Sequence, residues 1–319
     1  VPSPREVHVD AALTNVAQHY PALADGFLAD KVFPTVPVKG ETGEYRLFGN
    51  EELWPLGDTI GDRSEAAEVD WHTSTSTYRC TARALKTFVS SRSIANADPA
   101  VRPMVTGTQK VSRSLLLNKE IRAVAAVNAA ITATSNTTGL SAAWSTAASG
   151  DPLGNFATAS EGMRALTGKK PNTLIINADN IPAMVKCAAW QDQVKYTHSD
   201  RLENYDEVPS RLLGMNVYIA GSYKVATDIV QTTYDGGVTL PTAASIWTAK
   251  ACWLLYVNPR PSIDDPSFGY NLECTPWRTR KWFDPNRGLG GGWYVQTEYQ
   301  AVQKTVCAEY AWSLTGCIT

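Results

Sequence analysis

Four histidines, His8, His19, His72 and His198, are the first residues to test for chemistry, because imidazole serves both as metal ligand and as general base. None stands in a His-x-x-x-His or His-Glu-x-x-His arrangement, the spacing that brings two imidazoles to one zinc ion. The acids Asp62, Glu65, Glu68 and Asp70 crowd one stretch, but their spacing does not follow the ligand positions of a calcium loop. A solvated loop tip is the plainer reading. No Gly-x-Ser-x-Gly elbow raises a nucleophilic serine, and no Gly-x-x-x-x-Gly-Lys-Ser/Thr loop cradles a phosphate. The run Gly288-Leu289-Gly290-Gly291-Gly292 has the glycine content of a phosphate loop, but Trp293-Tyr294-Val295 follow it. Those are strand formers, whereas a phosphate loop opens a helix, so a turn is expected. Asp264-Asp265-Pro266 is also read as a turn.

The six cysteines, Cys80, Cys187, Cys252, Cys274, Cys307 and Cys317, include no Cys-x-x-Cys pair. Cys80, Cys252 and Cys307 sit in strand-like runs, so buried thiols are expected rather than disulfides or a zinc site. No catalytic, cofactor-binding or metal-binding residue is assigned, and the chain is expected not to be an enzyme.

Composition points the same way. Charged residues make up 19% of the 319 positions, and ten tryptophans and thirteen tyrosines are many for that length. Low charge with many amphipathic aromatics suits a chain that buries surface against partners, or one with a large aromatic core. The net charge is −2 and the densest basic run is only Arg278-Thr279-Arg280-Lys281. Sequence-independent grip on nucleic acid needs clustered cations, so a dedicated nucleic-acid-binding module is not expected. The opening VPSPREVHVD has no apolar stretch of the signal-peptide kind, and no run reaches the roughly 18 apolar residues of a membrane helix. A soluble, non-exported chain is expected.

The elements that would position any site fall into two regimes. A short helix is expected at 11–20. Then Pro34 and Pro37 force an extended arm whose Val32, Phe33, Val36 and Val38 must be covered by the body or by a neighbour. Residues 41–78 read as a long hairpin with a polar, glycine-bearing tip, its strands at 44–48 and 69–80. A limb of about 15 residues would span about 50 Å, more than the radius of a compact chain of this length. A strand at 77–90 enters the body, and apolar spacing predicts a helix over 106–134, about 40 Å long.

A second regime begins after a Ser/Thr/Ala/Gly-rich loop at 132–150. Asp151-Pro152 starts a helix with Phe156, Met163 and Leu166 on one face, and Gly168 ends it. Strands are expected at 173–177, 217–220, 246–257 and 293–314, with short helices capped by Asp179 and over 208–213. This half reads as an α/β sandwich around a mixed sheet.

The order of several segments carries a resemblance. Ala29-Asp30-Lys31-Val32-Phe33-Pro34-Thr35-Val36-Pro37-Val38 leads to Gly43-Glu44-Tyr45, then Asn118-Lys119-Glu120 on the long helix. Trp144, Ser149-Gly150-Asp151-Pro152, Thr167-Gly168, Lys170-Pro171-Asn172-Thr173-Leu174 and Pro266-Ser267-Phe268-Gly269 follow. In this order they resemble the major capsid proteins of tailed bacteriophages over nearly the whole chain.

The resemblance implies an α+β chain of the Hong-Kong-type capsid fold. Its parts would be an N-terminal arm at 1–40, an extended loop at 41–80 and a peripheral domain with the spine helix at 81–148. An axial domain at 149–290 and a C-terminal strand at 291–319, returning to the peripheral domain, would complete it. The implied function is a structural subunit that forms pentamers and hexamers closing into an icosahedral head around double-stranded DNA, with no cofactor.

Implied partners are other copies of the chain, a separate scaffolding protein, a portal protein and in some relatives a decoration protein, within a virion built in the bacterial cytoplasm. Arm residues Val32, Phe33 and Val36 and loop residues Tyr45, Phe48, Trp54 and Trp71 are the expected subunit contacts. Some relatives crosslink a loop lysine to a neighbour's asparagine. Here the tip carries no lysine and Lys39 sits at the base, so no crosslink is expected. The alternatives are an encapsulin-type bacterial nanocompartment shell and, from another class, an α/β enzyme.

Overall fold

A computed structural model describes residues 26–50, 74–97, 102–146, 148–194, 208–225, 243–260 and 266–318, with isolated positions within 8–17 and 53–68. The helices are α1 (Ala29–Val32), α2 (Ser91–Ala95), α3 (Pro103–Thr134), α4 (Pro152–Thr167), α5 (Ile181–Lys186) and α6 (Ala188–Val194). The strands run from β1 (His8–Val9), β2 (Thr35–Pro37), β3 (Thr42–Leu47), β4 (Ser74–Arg79) and β5 (Thr81–Ser90) to β6 (Thr137–Gly139), β7 (Thr173–Asn177) and β8 (Arg211–Leu212). They continue with β9 (Met215–Ala220), β10 (Tyr223–Val225), β11 (Ala243–Ser245), β12 (Ala251–Leu255), β13 (Gly269–Asp284), β14 (Gly292–Thr305) and β15 (Ala311–Thr315).

One sheet has the order β6-β15-β12-β7-β9-β8. Its central strands β7 and β12 are buried along their whole length, as strands covered on both faces must be. Alternation divides their side chains. Leu174, Ile176, Cys252 and Leu254 join Phe156, Ala159 and Met163 of α4, while Ile175, Trp253 and Leu255 join Ala123, Val124 and Val127 of α3. Strands β3-β4 and β10-β11 form two-stranded sheets, and a second large sheet has the order β1-β13-β14-β5, with β2 added in parallel to β13. Here α3 also packs, through Val111 and Leu115 against Tyr299 and Ala301. The 32-residue α3, about 48 Å long, thus braces both large sheets.

The elements differ from expectation in places. Helix α3 begins at Pro103, earlier than 106, because proline is well placed at a first helical position. Asp151 does cap α4, accepting from the Gly154 N–H, and Gly168 ends it at φ 71°. Leu166 is exposed, off the buried face of Phe156 and Met163. Asn177, not Asp179, caps the next turn, its side chain accepting from the Asp179 N–H.

The expected helix over 208–213 is instead the start of a hairpin. Leu213 and Gly214, at φ 50° and 84°, form the two-residue turn between β8 and β9. Gly288, Gly290 and Gly291, all at positive φ, lie in the connection between β13 and β14, the turn expected of that run. In the pairing, β13 belongs with β14 and β5, while β15 returns to the sheet of β7 and β12. All six cysteines are free, and five are buried. Among the described residues no helix is long and apolar enough to cross a membrane, and no cluster of three metal-ligating side chains occurs.

Candidate functional site

The arm is held by a carboxylate on the spine helix. Buried positions of α3 recur as Val111, Ser112, Leu115, Leu116, Lys119, Glu120, Ala123 and Val124, so Lys119 and Glu120 fall in phase with the apolar stripe. Glu120 is fully buried. Its Oε1 accepts from the Leu28 N–H at 3.0 Å and the Trp247 indole N–H at 2.6 Å, and its Oε2 from the Ala29 N–H at 2.7 Å. Burial pushes the Glu120 carboxyl above its ordinary pKa, against the pull of these donors. Beside it the Lys119 ammonium meets Asp30 of the arm at 2.5 Å.

Past α1 the arm runs along β13. The Asn271 N–H donates to the Pro34 carbonyl at 3.0 Å and the Val38 N–H to the Glu273 carbonyl at 2.9 Å. Pro37 costs no ladder bond there, since β2 is an edge strand. Phe33 packs against Phe268 with ring centroids 5.4 Å apart and lies over Gly269, where a Cβ would come within 2.7 Å of its ring. The body of the chain itself therefore supplies the partner strand that the arm lacks locally.

Hairpin β3–β4 docks on the same side. Six residues pair on each limb, from Thr42↔Arg79 to Leu47↔Ser74. Val36, Val38, Tyr45, Phe48 and Tyr78 pack half-buried around Tyr270, Leu272 and Val306. A groove of about 460 Å³ remains open there, lined by Tyr45, Phe48, Tyr270 and Val306 with Glu44, Arg46 and Thr75 at its edges. A second groove, of about 540 Å³, runs past Thr42, Gly43, Tyr78, Val302 and Lys304.

The seven expected contact residues thus divide. Val32 and Phe33, at 0% exposure, lie in the chain's own core with Leu28, Val127 and Trp253. Val36, Tyr45 and Phe48 come together at the hairpin base, each half-buried. Trp54 and Trp71 lie outside the described residues, as does most of the hairpin between 51 and 73. The Glu120 seat was not assigned from sequence. Its signal was two charged residues in register with a helix's apolar stripe. Of the basic run at 278–281, Arg278 and Arg280 both pair with Glu298, at 2.5 and 2.8 Å.

No protein-family model matches the chain, and no curated protein matches it in sequence. Solved structures do match it. A phage-related protein from Bordetella bronchiseptica RB50 superposes with a TM-score of 0.67 at 22% identity, covering 97% of each chain. The capsid of cyanophage P-SCSP1u superposes with a TM-score of 0.61 at 9% identity, covering 89% of this chain and 86% of its own. A virus-like particle from Pyrococcus furiosus gives 0.50 at 9% identity, over 95% and 97%. With a spine helix across two sheets, an arm laid along the longer one and a hairpin docked beside it, the chain has the Hong-Kong-type fold of tailed-phage capsid proteins.

Proposed function

We propose that the chain is a shell subunit of a tailed-phage head, assembling as pentamers and hexamers into an icosahedral capsid around double-stranded DNA. The observation that carries this reading is the capsid fold itself, together with an arm and hairpin that leave an open apolar groove at Tyr45, Phe48 and Tyr270. Such grooves suit segments of neighbouring copies, and many modest contacts of that kind add up when they repeat around a closed shell. In this reading the protein is structural rather than enzymatic. Scaffolding, portal and decoration proteins are its partners, its place is the virion, and it assembles in the host cytoplasm. DNA is retained by closure, which fits a chain of net charge −2.

The fold is shared with a virus-like particle, so a nanocompartment shell is the second reading. Negative-stain electron microscopy of the purified chain, alone and co-expressed with its neighbouring genes, tests the proposal. Closed polyhedra or five- and six-membered rings are expected, with DNA-filled heads when portal and scaffold genes are present. Shells that close around an enzyme cargo would move the assignment to the nanocompartment. A monodisperse monomer or dimer under every condition overturns both.

A further inference from the structure

A charged cavity lies between α3 and the long sheet, on the face opposite the hairpin. The register builds it. Tyr299 pairs with Arg83 and Gln303 with Asn271, and directly opposed residues share a face of a sheet. Lys119 and Arg122, three apart on α3, lie over that row. These six side chains, with Ala301 and Val302, line a cavity of about 90 Å³.

Its charge is unbalanced: Arg83, Lys119 and Arg122 meet two carboxylates, Asp30, which pairs with Lys119 at 2.5 Å, and the half-buried Glu273, which feels the Lys119 charge. Among the described residues no carboxylate comes within ion-pair distance of Arg83 or Arg122. Arg122 gives one hydrogen bond, from Nη2 to the Tyr299 hydroxyl at 2.6 Å. The Arg83 Nε is buried with no partner. Burial lowers the Arg122 pKa, and the positive charge of Arg83 lowers it further.

Two acceptors among the lining residues are also unmet: Asn271 Oδ1 and Gln303 Oε1 are buried without a donor. Their amide nitrogens are already used, on Thr35 Oγ1 at 3.1 Å and the Lys119 carbonyl at 3.3 Å. An occupant that met every lining group would bring negative charge to two half-buried guanidiniums and a hydrogen-bond donor to the amide oxygens. Water supplies hydrogen bonds but no charge. Sulfate, carboxylates and the phosphodiesters of nucleic acid supply charge but no proton at neutral pH. Hydrogen phosphate supplies both and is of a size for the cavity.

We infer that this cavity binds one free hydrogen phosphate ion, held by Arg83 and Arg122 and donating to Asn271 or Gln303. The inference does not depend on the shell-forming reading.

Isothermal titration of the full chain with inorganic phosphate at low ionic strength tests it, with sulfate, acetate and a short DNA duplex as parallel titrants. One phosphate per chain is expected, with sulfate and acetate weaker by about tenfold or more. Arg83→Gln, which removes a side chain with no described hydrogen bond, should weaken phosphate by about tenfold or more while circular dichroism stays unchanged. Gln303→Leu, on the opposite wall, should bring phosphate down to the level of sulfate. Absence of phosphate binding by the unmodified chain at millimolar concentration overturns the inference, as does equal binding by the Arg83 variant. Equal affinity for sulfate, or displacement of phosphate by the duplex, overturns the assignment to a free, proton-bearing ion.

Discussion

Glu120 sits where a helix of this pattern should carry an apolar residue, and three N–H donors converge on it. A buried carboxylate is costly to desolvate, and these donors offset that cost only while all of them stay in place. Glu120→Leu leaves the Leu28, Ala29 and Trp247 donors unpaired and is expected to lower stability by roughly 3 kcal/mol in urea titrations. The pH dependence has a definite sign. Burial raises the folded-state pKa of this carboxyl above its unfolded value, so the folded chain binds the proton more readily in the window between them. Stability from this group is fully present below the unfolded pKa and is lost as pH rises through the folded one. The gap between the native chain and Glu120→Leu should therefore narrow as pH rises from below the ordinary carboxylate range through the raised folded-state pKa. A gap that widens would mean the carboxylate, not the acid, is the form the fold prefers. At this scale the sequence was only partly legible. Val32 and Phe33 were visible as apolar residues needing cover, but whether the cover was the chain itself or a neighbour depends on pairings across more than 200 positions.

Elements were more legible, because their signals are local. The helix of α4 could be read from Asp151-Pro152 and Gly168, and strand β7 from its unbroken apolar run. The stretch over 208–213 was misread because Leu213 takes a left-handed conformation that leucine rarely adopts, and nothing in composition announces it. How the arm seats on β13 could not be read at all, since it rests on one absent side chain. At Gly269 a Cβ would approach the Lys304 carbonyl oxygen to 2.6 Å and the Phe33 ring to 2.7 Å. The carbonyl belongs to the β14 backbone and cannot move away cheaply. Gly269→Ala is therefore expected to destabilise the chain by about 1–3 kcal/mol, although a glycine-to-alanine change on an ordinary strand would cost nothing. Thermal unfolding checks the sign. Protease susceptibility near 26–40 checks the location, since it should rise if Phe33 is displaced. An unchanged melting temperature would show that β13 can shift to admit the methyl group, and that the arm is not fixed by this contact.

Across the whole molecule, the deepest cores and the open apolar groove lie in different places. The two largest cores draw on α1, α3, α4 and the six-stranded sheet, and they include Val32 and Phe33. The hairpin contributes half-buried residues to the smaller cluster on the long sheet and leaves the open groove beside it. A change confined to the hairpin should then affect assembly without unfolding the body. The register offers a clean cut. Leu47 and Ser74 are directly paired, so residues 48–73 can be replaced by Asn-Gly, a two-residue turn that suits antiparallel strands. That removes Trp54, Trp71 and the half-buried Phe48 but leaves both paired limbs intact. The shortened chain is expected still to unfold cooperatively, because among the described residues it loses the half-buried Phe48, its N–H bond to the Val306 carbonyl and Leu53 beside Gly168, a loss of about 2–3 kcal/mol. It is also expected to yield no closed particles by electron microscopy and to sediment as monomers or isolated rings. Phe33→Ala should do the reverse at the level of the single chain, lowering its stability by about 3–5 kcal/mol whether or not it assembles. If the shortened chain still closes into shells, the contacts that join subunits do not need Phe48, Trp54 or Trp71.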